Sequence, residues 1–176
     1  MYKKLIKFLS IVLIAIIMIP TAFSLGIAKW KYPTKIKTYI PPNHSRTNMM
    51  KHAFQEWSRK TGNKVVFVYT QDKNNAQIEV VFVKVIPNAD REIGLTKTRR
   101  IGENFVKSQI LIADNTVSGY KLTNDNVYTV MLHEIGHAIG LPHSGKKDSI
   151  MYPMEDDIQE IRPVDLNMLS DIYGWK

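Results

Sequence analysis

Apolar positions recur along this chain at two different periods, and the change of period divides it. Between residues 35 and 114 the pattern is mostly that of strands. KIKTYI (35–40) alternates and is stopped by Pro41 and Pro42. KVVFVYT (64–70) and AQIEVVFVKV (76–85) are rich in β-branched residues, and IGLTKT (93–98) and KSQILIAD (107–114) follow. One helix interrupts the series. In SRTNMMKHAFQEWSRKTG (45–62), Met49, Met50, Ala53, Phe54 and Trp57 form an apolar stripe, Ser45 is placed to cap the start and Gly62 to end it. The later strands follow one another without a helix between them, so part of the sheet is expected to be antiparallel. From Asn124 the period turns helical: Val127, Val130, Met131, Ile135, Ala138 and Ile139 recur at spacings of three and four. Asn124 or Asp125 would cap this helix and Gly140 stop it. PVDLNMLSDIYG (163–174) predicts a last helix, with Pro163 in its first turn and Leu166, Leu169, Ile172 and Tyr173 on its buried face. The fold class is α/β.

The N-terminus has a pattern of its own. Lys3, Lys4 and Lys7 precede an apolar run from Phe8 to Ile19, then Pro20 and the small residues Ala22 and Ser24. That is the layout of a secretory signal, and a cut after Ser24 or Ala28 fits it. Read as an uncleaved anchor, the run extends through Leu25–Ala28 to ~20 residues. Residues 1–28 are therefore expected to be a signal peptide or membrane anchor that engages the secretion machinery or the membrane. Residues 29–176 are expected to be one domain, a monomer, working outside the cytoplasm as a secreted, extracellular or membrane-anchored protein. The chain has no cysteine, which removes bridges, thiol catalysis and any cysteine-based zinc site. Net charge is +8, and +5 without residues 1–24, which carry three lysines. No basic run is interleaved with aromatics, so nucleic acid is not an expected partner.

Three of the five histidines fall within HEIGHAIGLPH (133–143). His133 and His137, four apart on a helix, project from one face and can reach one ion at ~2.0–2.1 Å each. A third ligand cannot come from the next turn without distorting a tetrahedron. The chain must leave the helix and turn back, which Gly140 permits because it has no Cβ to clash. His143 then arrives from outside the helix. Three neutral nitrogens leave one position open for water, as in a catalytic zinc site. Glu134 points beside that position, where a carboxylate can take a proton from the water and hand it to a leaving amine. His44 and His52 read as surface or boundary residues.

H-E-x-x-H-x-x-G-x-x-H followed by a methionine turn, here SIMYP (149–153), resembles the metzincins. Ser144 after the third histidine, and the order of elements over roughly residues 30–175, resemble the matrixin catalytic domain among them. The resemblance implies a zincin-like fold: a twisted, mixed, five-stranded sheet with two long helices, a short C-terminal helical subdomain and a zinc cleft between them. It implies His133, His137 and His143 as ligands of one catalytic Zn²⁺, Glu134 as general base, and Met151 as an apolar floor beneath the ligands. It implies that Gly94, Leu95 and Thr96 belong to a rim strand, running to Thr98, that pairs with an extended antiparallel peptide or protein substrate. Tyr152 and Pro153 would form the wall of the pocket just beyond the scissile bond. Lys97, Arg99 and Arg100 near the rim would add a weaker preference for acidic residues. Asp165 would support the methionine turn from behind, or serve only as an acid in the first turn of its helix.

Two departures from that family stand out. Residues 53–132 contain no histidine, so the family's second, structural zinc has no ligands here. Structural Ca²⁺ loses support with it, although Asp114 lies near where one ligand would be. No cysteine is present to hold a propeptide on the metal, so activity must be unrestrained or restrained otherwise. The function expected is a secreted or membrane-tethered zinc endopeptidase. The alternatives are a catalytically inactive zinc-containing module that binds peptides, and a surface or toxin-like protein whose apolar N-terminus is the working part.

Overall fold

A computed structural model describes residues 28–153 and 160–175. The expected signal or anchor segment lies outside the described residues, apart from Ala28. Five strands form one sheet: β1 Ile36–Tyr39, β2 Phe67–Tyr69, β3 Ile78–Val83, β4 Gly94–Ile101 and β5 Asn104–Ala113, in the order β2-β1-β3-β5-β4. Three helices accompany it: α1 Thr47–Lys60, α2 Asn124–Ala138 and α3 Pro163–Tyr173. The sheet is mixed, as expected: β4 runs antiparallel to β5 and every other neighbour pair is parallel.

One face of the sheet carries the main core. Ile36, Ile78, Val80, Ile110 and Ile112 meet Met50, Phe54 and Trp57 of α1 and Met131, Leu132 and Ile135 of α2. Trp57 is fully buried, and its indole Nε1 donates to Leu132 O at 2.9 Å, which fixes α1 against α2. On the other face Leu95 of β4 packs with Ile86, Ile93, Leu111 and Ala113 in a smaller cluster.

Several element boundaries differ from the sequence pattern. β2 is only three residues long, and Val65, though buried, lies outside it. β4 extends past Thr98 to Ile101 and β5 begins at Asn104, joined by the two-residue turn Gly102–Glu103 with Gly102 at φ 58°. The charged run Lys97–Arg100 carries no apolar signal because β4 is an edge strand and most of those side chains face water. Neither expected cap holds. α1 starts after Arg46 with no side-chain cap, and Thr123, not Asn124 or Asp125, caps α2 by accepting from Asn126 N. A threonine one residue upstream has the extended backbone a cap needs.

The ladder also fixes which groups β4 leaves open. Ala113 N donates to Ile93 O at 2.9 Å. Bonded pairs alternate in an antiparallel ladder, so Leu95, Lys97 and Arg99 turn their amides toward β5. Gly94, Thr96 and Thr98 turn theirs to the outer side of the sheet edge.

Candidate active site

The site is built on the C-terminal half of α2. His133 and His137 lie one turn apart, and the helix ends at Ala138. Gly140 has φ 114°, the left-handed backbone expected, and a Cβ there would come within 3.0 Å of Ala28 O. The reversal brings His143 back, and the ring centroids of the three histidines lie 4.7 to 5.3 Å apart. Their ligand nitrogens fall within 4.8 Å of one another.

The donor set fits a zinc ion. His133 Nδ1 lies 2.7 Å from Ile150 O and His137 Nδ1 lies 2.8 Å from Leu141 O. A carbonyl only accepts, so each Nδ1 carries the proton and each Nε2 lone pair is free for metal. Burial holds both imidazoles below their ordinary pKa, His137 down to about 4, which keeps them neutral. Three imidazoles converging on one point, with no further titratable side chain in the cluster among the described residues, match a three-ligand zinc site.

Glu134 is buried against β4. Thr96 Oγ1 lies 2.6 Å from Glu134 Oε2 and 3.0 Å from its carbonyl O. Burial pushes the carboxyl up to about 7, and the Thr96 hydrogen bond opposes that shift. Gly94 makes the close approach of strand and carboxylate feasible. A Cβ on it would sit 2.5 Å from Val130 Cγ1 and 2.7 Å from both Cγ and Oε1 of Glu134. Gly94 and Thr96 thus flank the glutamate. Leu95 does not, since its side chain packs on the opposite face and its amide turns toward β5.

Beneath the ligands Met151 is fully buried. Its Sδ lies against Gly136, where a Cβ would come within 2.3 Å. Gly136, the glycine of HEIGH, is therefore a contact residue, and nothing in the residue spacing announced it. Asp165 takes both roles considered for it. It accepts from Arg162 N at 2.8 Å at the start of α3, and from Ser149 Oγ and Ile150 N in the methionine turn. That turn supplies the carbonyl that orients His133. Tyr152, half-buried, and Pro153, exposed, follow Met151 directly.

Other contacts also lie outside the motif. Trp30, in what reads as a lead-in, is buried and donates from Nε1 to Ala138 O at 2.8 Å. Tyr173 Oη donates to Ile139 O at 2.9 Å and accepts from Trp30 N at 3.2 Å. Burial pushes this phenol up to about 12, so it stays a donor. Two orphan carbonyls at the end of α2 are capped in this way, beside the turn that returns His143. Their sequence signal is only an isolated tryptophan and an aromatic in the last helix. Asp114, near the expected calcium position, accepts from Arg46 Nη1 at 3.0 Å and lies 3.3 Å from His44 Nε2. His44 is half-buried and stacks on Phe82, a boundary residue as expected, and His52 is exposed as expected.

Three convergent imidazoles, a carboxylate outside the ligand set and a buried methionine below them define a zinc metallopeptidase domain of the metzincin type. Within that class, residues 28–174 match the family model for matrixins, and the chain belongs to that family of zinc metalloendopeptidases. It is 28% identical over 145 residues to the "Probable matrix metalloproteinase 095L" of Invertebrate iridescent virus 3, covering 75% of this chain and 38% of that protein. It is 38% identical over 58 residues to human matrix metalloproteinase-26, covering 31% of this chain and 22% of the relative. Over 53 residues it is 36% identical to cat matrilysin, covering 28% and 20%. In each match the aligned part spans less than two fifths of the curated relative's length.

Proposed function

We propose that this chain is a zinc-dependent endopeptidase acting outside the cytoplasm, with Glu134 as the general base. The observation that carries this reading is the placement of Glu134: it is buried, held by Thr96 at 2.6 Å, and adjacent to the three histidines without belonging to their cluster. A site that only stored metal would have no use for a carboxylate there. His133, His137 and His143 would hold the ion through their free nitrogens. Bound zinc would supply Lewis acidity, polarising the scissile carbonyl and acidifying the attacking water toward pKa ~7. Glu134 takes the proton of that water on a carboxylate oxygen and gives it to the leaving nitrogen. Thr96 holds the carboxylate in place while it does so.

The peptide is read as an extended strand antiparallel to β4, bound through the open main-chain groups of Gly94, Thr96 and Thr98. Tyr152 and Pro153 would wall the pocket just beyond the bond that is cut. Residues 1–28 act in this reading as a signal or anchor. Among the described residues no helix is long and apolar enough to cross a membrane.

Glu134→Ala tests the reading. Zinc content and folding should be retained and turnover should fall by ~10²–10⁴-fold, the range for loss of one general base. His137→Ala should instead lose the metal and part of the stability with it. Wild-type turnover by Glu134→Ala would remove Glu134 from the mechanism.

A further inference from the structure

Lys97 and Arg99 sit on the face of the sheet turned away from the histidines. Lys97 stands opposite Gln109 and Arg99 opposite Lys107 on β5. With Glu79 and Thr98 these residues line an open groove of about 320 Å³. Glu79 is the groove's one acid and is already engaged. Gln109 Nε2 donates to it at 3.4 Å, and Lys107 Nζ lies 3.9 Å away while also donating to Lys73 O and Ala76 O. Lys97 and Arg99 are both exposed, and neither pairs with an acidic side chain among the described residues. The groove is left with uncompensated positive charge beside an open strand edge.

Strand geometry says what would meet that charge. A peptide bonded to the open groups of Gly94, Thr96 and Thr98 has its residues directly opposite those of β4, and opposed residues share a face. Peptide residues opposite Gly94, Thr96 and Thr98 turn toward α2 and the cleft. Those opposite Leu95, Lys97 and Arg99 turn to the outer face, with facing Cβ atoms ~4.5–5.5 Å apart. Glu134 lies against Gly94 and Thr96, so the bond that is cut lies at that end of β4. Toward Arg99 an antiparallel peptide runs upstream.

We propose that Lys97 and Arg99 select acidic side chains at two alternate upstream positions of the substrate, those facing each of them across the open edge. The inference rests on the reading of β4 as the substrate's partner strand. It assigns the outer face of the sheet a part in specificity: the position opposite Leu95 is indifferent to charge, and the next two outward positions are acidic. Arg100 is excluded from the pair because successive side chains of a strand alternate, which places it on the opposite face from Arg99.

Two peptides that differ only in carrying Glu-x-Glu or Gln-x-Gln at these positions test it, with the full zinc-loaded chain and its Lys97→Glu/Arg99→Glu variant. Cleavage is measured as kcat/KM, and binding separately by fluorescence anisotropy. The wild-type chain should favour the glutamate peptide by about two- to thirtyfold, the range spanned by two exposed opposite-charge pairs across strands. The effect should lie in KM and fade as salt is raised. The variant should favour the glutamine peptide. Cleavage with the same preference in both proteins, or with none in the wild type, overturns the inference and leaves the endopeptidase reading intact. Binding that prefers glutamate without any cleavage overturns the endopeptidase reading and leaves the inference intact.

Discussion

The sheet has two edges, and they are built on opposite plans. β2 closes one side with three residues: Phe67 is buried, and Tyr69 reaches across to donate from Oη to Lys51 O of α1 at 3.2 Å. β4 closes the other side with eight residues, a free row of main-chain groups and a positively charged outer face. Any exposed strand edge invites pairing with another chain. At β2 the invitation is cut short by length. At β4 it is left open, and the charges of Lys97 and Arg99 set its terms, since a second copy of β4 would bring like charges together. An edge can thus be a hazard on one side of a sheet and a working surface on the other.

Substitutions matched across the two edges can break this contrast. The largest effect is expected from Gly94→Ala. Its new Cβ would lie within 2.7 Å of Glu134 Cγ and Oε1, so the glutamate must move. Turnover should fall at least ~100-fold, as for a lost general base, with zinc content retained. Val68→Ala at the β2 edge should change kcat/KM less than about twofold. Near-equal rates for both variants would show that β4 is not special. Thr98→Pro should have an intermediate effect. It removes an amide from the open side, not from the ladder to β5, so the fold should tolerate it. The loss of one hydrogen bond to substrate predicts a fall of about two- to tenfold in kcat/KM, carried by KM. An unchanged KM would mean that the peptide does not pair with the edge there.

The smallest effect concerns pH. In metal-free protein, burial raises the carboxyl of Glu134 to about 7 from its ordinary 4.5. Its contribution to stability is therefore present below pH 4.5 and is lost as pH rises through about 7. His137, lowered to about 4 from 6.5, acts in the opposite sense, stabilising above pH 6.5 and losing that contribution as pH falls through about 4. Between pH 4.5 and 6.5 the two trends oppose each other. Glu134→Gln should leave the histidine trend alone, so the urea midpoint of chelator-treated protein should rise more steeply with pH than in the wild type. An unchanged profile would contradict the burial that β4 imposes on Glu134.

The difference between the edges also marks where the sequence was legible. HEIGHAIGLPH could be read because metal ligation demands fixed residue types at fixed spacing, and Gly140 had to adopt the positive φ it shows. The two long helices were readable from their apolar stripes, and the mixed sheet from strands without intervening helices. The outer half of β4 was hidden because an edge strand facing water has no apolar alternation to show. The hold of Thr96 on Glu134 and the part of Gly136 were hidden for another reason. Each is defined by a partner distant in sequence, Glu134 in one case and Met151 in the other, and single-residue chemistry does not name partners. Trp30 and Tyr173 belong to the same class, since their work is to cap carbonyls more than thirty residues away along the chain.

That last arrangement has a consequence in time. Ile150 O orients His133, but Ile150 is held by Asp165, and the end of α2 is capped by Tyr173. A ribosome adding ~5–20 residues per second makes Asp165 about one to three seconds after Ile150, and Tyr173 later still. During that interval the nascent chain already contains all three histidines, yet the contacts that aim His133 and close the helix end do not exist. Synthesis from N- to C-terminus therefore completes the ligand motif first and these supports afterwards, which delays the finished metal site until α3 has been made.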